Sequence, residues 1–83
     1  MTRKKFFEKY QHILEENEVL LAEGFDSALI GLDMITNRAI YDSKKMIEIL
    51  VKKENMTLSE AVEYLEYNTW YAYVGDKTPI FLH

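Results

Sequence analysis

Residues 42–60 carry two helix starts in quick succession. Asp42 and Ser43 precede the apolar stripe Met46, Ile47, Leu50 and Val51, and Thr57 stands three residues before Glu60. A short oxygen-bearing side chain ahead of such a stripe accepts hydrogen bonds from the first-turn amides, which otherwise have no partner. The Thr-x-x-Glu spacing adds a bond in the other direction, from the threonine amide to the glutamate, and so makes a capping box. Ala61, Val62 and Leu65 then supply the second apolar face. Residues 43–68 therefore predict a helical hairpin broken near Asn55. Lys44, Lys45, Lys52 and Lys53 fall on the polar side of its first helix, and Glu60, Glu63 and Glu66 on the solvated side of its second.

The rest of the chain must pack around that pair. Thr2 is a plausible N-cap, and Phe6, Tyr10, Ile13 and Leu14 recur at helical spacing. A first helix is expected from Arg3 to at least Asn17. Leu20 and Leu21 can prolong its stripe, with Gly24 as the stop, so the boundary is placed at Leu21. Across residues 27–42, two short apolar runs flank Thr36-Asn37-Arg38. Asn tolerates left-handed backbone, and the segment reads as a β-hairpin. Gly31 inside the first run marks a bulge or a close backbone approach. Residues 69–74 read equally as last helical turns capped by Gly75 or as a strand. The run from Gly75 to Pro79 is turn chemistry, and Ile80-Phe81-Leu82 is extended, adding a short third strand or tucking under the hairpin. The fold class is α+β. With 83 residues and no linker, the chain makes one domain.

Composition narrows the function classes. There is no cysteine, which removes disulfides, zinc-thiolate sites and thiol nucleophiles. Ten Lys and Arg against fourteen Asp and Glu give a net charge of −4. The charge is striped: residues 10–37 hold six acids and no Lys or Arg, while Arg3, Lys4, Lys5 and Lys9 crowd the start. No basic footprint for nucleic acid emerges, so direct DNA binding is not expected. The longest uncharged stretch, residues 67–75, falls far short of the ~20 apolar residues of a membrane span. The basic start lacks the apolar run of a signal peptide, and a cytoplasmic location is expected.

Candidate chemistry is sparse. Glu8, His12 and Glu16 are spaced to share one helix side, yet a solvated polar face explains them, and no metal or other cofactor is expected. Asp26, Asp33 and Asp42 have no positioned nucleophile or phosphate-cradling loop beside them, so turn and cap roles account for them and no enzyme activity is expected. The aromatic residues are the exception. Five of the eleven, Tyr64, Tyr67, Trp70, Tyr71 and Tyr73, fall within ten positions. Such a cluster can be core, a surface for a protein partner or a second copy of the chain, or a platform on which bases stack. A partner surface built on Tyr67, Trp70, Tyr71 and Tyr73 leads. The alternative is an oligomer that holds a small ligand or nucleotide, with Tyr41, Lys44 (or Lys45) and Asn68 lining the site.

The motifs Tyr41-Asp42, Glu63 or Glu66 near Asn68, Ala72-Tyr73-Val74-Gly75 and Thr78-Pro79 together resemble a pattern in a family of short uncharacterised proteins of tailed bacteriophages and prophages. The likeness spans residues 25–82. It implies a viral setting, in which small proteins bind and neutralise a host protein, among them inhibitors of restriction or CRISPR immunity, or sequester a nucleotide signal.

Overall fold

The computed structural model describes residues 2–83. Helix α1 (Arg3–Asn17) is followed by a short 3-10 turn (Asp26–Ala28), strands β1 (Leu29–Asp33) and β2 (Arg38–Asp42), and helices α2 (Ser43–Lys53) and α3 (Leu58–Leu65). A π-helical turn (Glu66–Trp70) and strand β3 (Ile80–Leu82) complete the chain. The sheet order is β1-β2-β3, antiparallel between β1 and β2 and parallel between β2 and β3. The expected α+β class and helical hairpin are present, and the C-terminal extended segment is a strand.

The caps form as their chemistry requires. Asp42 accepts from the amides of Lys44 and Lys45, and Thr57 and Glu60 exchange the two bonds of a capping box at 3.1 and 2.9 Å. Ser43 follows the cap and is buried. Asn37 takes left-handed geometry (φ 57°) in the β1–β2 turn. The ladder shifts register between Leu29 and Gly31, and the Tyr10 hydroxyl lies 3.9 Å from where a Cβ on Gly31 would sit. Gly31 thus lies at the expected bulge, and a Cβ there would meet the Tyr10 hydroxyl only at ordinary contact distance, so no close backbone approach requires the glycine.

The end of α1 departs from expectation. The helix stops at Asn17, whose side-chain amide donates to the carbonyl of Ile13, and Glu18 turns the backbone left-handed (φ 51°). Leu20 and Leu21 do not extend the helical stripe. The segment after Glu18 has no regular structure, and Val19 and Leu21 pack on the core while Leu20 between them is exposed. Residues 69–74 are likewise neither of the two expected forms. The helical path widens into a π turn that ends at Trp70, and residues 72–74 have no regular structure.

The core gathers on one side of the sheet. Tyr41, Phe6, Leu29, Met46 and Leu65 are its largest fully buried side chains. The alternation of β2 sends Ala39 and Tyr41 inward, and Phe81 on β3 meets Tyr41 at 6.0 Å between ring centroids.

Candidate functional site

The connection from α3 to β3 carries most of the aromatic cluster, and a few polar bonds hold it in shape. Gly75 (φ 113°) lets the chain reverse, and the buried Thr78 hydroxyl accepts from the amide of Val74 at 3.0 Å and donates to the carbonyl of Gly75 at 2.7 Å. Lys77 donates to the carbonyl of Thr36 at 3.1 Å, and the Tyr73 hydroxyl to Asp76 at 3.3 Å. The first of these bonds ties the turn to the β1–β2 loop.

Above this turn lies a cleft of about 430 Å³. Trp70, Tyr71 and Tyr73 line it together with Ile80, Phe81 and His83 of the C-terminal segment. Arg38 also lines it, with its Nε donating to the carbonyl of Thr78 and its Nη2 to that of Pro79 at 3.5 Å. Trp70 packs against the core, meets the His83 ring edge-on at 4.7 Å between centroids, and keeps its indole Nε1 buried without a hydrogen-bond partner. Tyr71 and Tyr73 are 74% and 76% exposed. Of the rings that line the cleft, Trp70 and Phe81 are held against the core and Tyr71 and Tyr73 project.

The remaining expected site residues lie elsewhere. Tyr67 is 80% exposed but lines a separate cleft of about 470 Å³ with Glu60, Glu63 and Asn68. Tyr41, expected at a ligand site, is a core residue whose hydroxyl accepts from the amide of Ala22 at 2.9 Å. Burial pushes its pKa up, with the Ala22 bond opposing the shift. Lys44 is exposed at the start of α2. Asn68, which donates to the carbonyl of Tyr64, lines two clefts, neither of which Tyr41 or Lys44 reaches. The three residues thus do not converge. Arg38 went unnoticed in the sequence because its partners Thr78 and Pro79 are 40 and 41 residues away.

Among the described residues no three His, Asp or Glu side chains are grouped to hold a metal ion, and no helix is long and apolar enough to cross a membrane. Comparison with protein-family models, curated proteins and solved structures gave no match to the chain.

Proposed function

We propose that the protein is a non-enzymatic binding module that occupies a partner protein through the aromatic cleft beside β3. The observation that carries this reading is the exposure of Tyr71 and Tyr73 on a cleft whose floor includes the anchored Trp70. Tyrosine supplies large contact area for the loss of only two side-chain torsions, and tyrosine and tryptophan dominate binding hot spots. The resemblance to phage proteins supplies a setting, a bacterial host whose protein is inhibited or redirected, with an anti-defence role as one form of it.

Native mass spectrometry on protein purified gently from a bacterial lysate tests the reading. A co-purifying host protein of discrete mass is expected. An added mass of a few hundred daltons would replace it with the ligand-sequestering alternative.

A further inference from the structure

The cleft differs in charge from its neighbours. Four further clefts each include at least one glutamate, whereas this one is lined by Arg38 and by no Asp or Glu side chain, on a chain of net charge −4. Arg38 makes no ion pair among the described residues. Its two bonds go to backbone carbonyls, which position the guanidinium without neutralising it. Asp33, opposite Arg38 in the β1–β2 ladder, accepts hydrogen bonds from the Thr36 hydroxyl and the Ile35 amide and feels the Arg38 charge only as the smallest of the effects that lower its pKa. Asp76 in the turn accepts from the Tyr73 hydroxyl and makes no ion pair with Arg38. The guanidinium thus keeps N–H groups for an incoming carboxylate, which Arg binds in a paired, planar geometry.

A second feature lies alongside. Among the described residues β3 is an edge strand, with no strand on its far side, and an edge strand can pair with an extended segment of another chain.

Resting on the reading of this cleft as the partner surface, we infer that its occupant is an extended acidic segment of the partner protein. The segment lies along β3 with one face turned into the cleft, so that an Asp or Glu carboxylate meets Arg38 and apolar side chains two positions away meet Trp70, Tyr71 and Tyr73. Strand geometry sets this spacing, because residues i, i+2 and i+4 share one face.

Trp70 is the single tryptophan, so its fluorescence reports on the cleft directly. The probe is a blocked hexapeptide, Leu-Thr-Glu-Thr-Leu-Thr, whose Leu and Glu share one strand face, compared with counterparts carrying Gln or Lys in place of Glu. A saturable change in Trp70 emission is expected, with the Glu peptide binding roughly tenfold more tightly than the Gln peptide. Arg38→Gln should erase that preference and Arg38→Lys should keep part of it. If Arg38→Gln does not fold, wild-type protein in ~1 M salt gives the same reading, because screening should collapse the preference. Equal binding of the Glu and Gln peptides, or a preference that survives Arg38→Gln, overturns the inference while leaving the aromatic surface intact. Absence of any peptide binding overturns strand-edge docking, and the co-purification test still decides the surface itself. Full competition by inorganic phosphate or a nucleoside monophosphate would assign Arg38 to a small anion instead.

Discussion

Tyr41 joins the N-terminal segment to the sheet through one hydroxyl. Tyr41→Phe keeps the ring but leaves the Ala22 amide without its acceptor, and should cost about 1–3 kcal/mol, read from the urea midpoint. Burial raises the Tyr41 pKa above its ordinary value near 10, so the hydroxyl lends stability below that value and withdraws it as the pH climbs through the raised one. Wild-type protein should therefore lose stability above about pH 10, and Tyr41→Phe should lose less over the same range. Ser43 presents the opposite case, a buried hydroxyl with no partner, and Ser43→Ala should be neutral or stabilising by up to about 1 kcal/mol. In the sequence, Ile40 and Tyr41 compete for the inward face, and only the ladder with β1 and β3 fixes which one wins.

At the scale of elements, local chemistry was legible wherever a side chain closes a bond with its own backbone neighbours. The capping box at Thr57, the Asp42 cap and the left-handed Asn37 are all of this kind. The end of α1 was not, because Leu20 and Leu21 fit a helical stripe and an irregular packing segment equally well, and the next segment is tied down by the Tyr41 hydroxyl, 19 residues further on from the Ala22 amide it binds. Glu18 pays for its left-handed turn, and Glu18→Gly should raise stability by about 0.5–1 kcal/mol. Thr57→Ala should lower it by about 1 kcal/mol. The Thr57 amide holds the Glu60 carboxylate below its ordinary pKa, and the Thr36 hydroxyl does the same for Asp33. Both groups stabilise the fold above the ordinary carboxylate range near pH 4 and cease to do so as the pH falls through their lowered values. Urea midpoints taken from about pH 6 down to about pH 3 should fall, and fall less steeply in Glu60→Gln.

For the whole molecule, the aromatic cluster was legible as a cluster but not as a division of labour. Trp70 became part of the core and Tyr67 turned to another cleft, while Tyr71 and Tyr73 stayed with the site. Periodicity could not separate them, because the π turn shifts the faces that a regular helix would present. The division dictates how the binding surface is tested: Trp70→Ala would damage the fold, whereas Tyr71 and Tyr73 can be removed from the surface without opening the core. The most direct measurement is native mass spectrometry on wild-type protein, the Tyr71→Ala/Tyr73→Ala variant and an Ile35→Ser control, each purified from the same lysate, with circular dichroism to check folding. Ile35 is 92% exposed on the β1–β2 turn and lines none of the five clefts. Wild type and the control should retain the partner and the tyrosine variant should lose it while remaining folded; equal retention by all three would contradict a partner surface at this cleft.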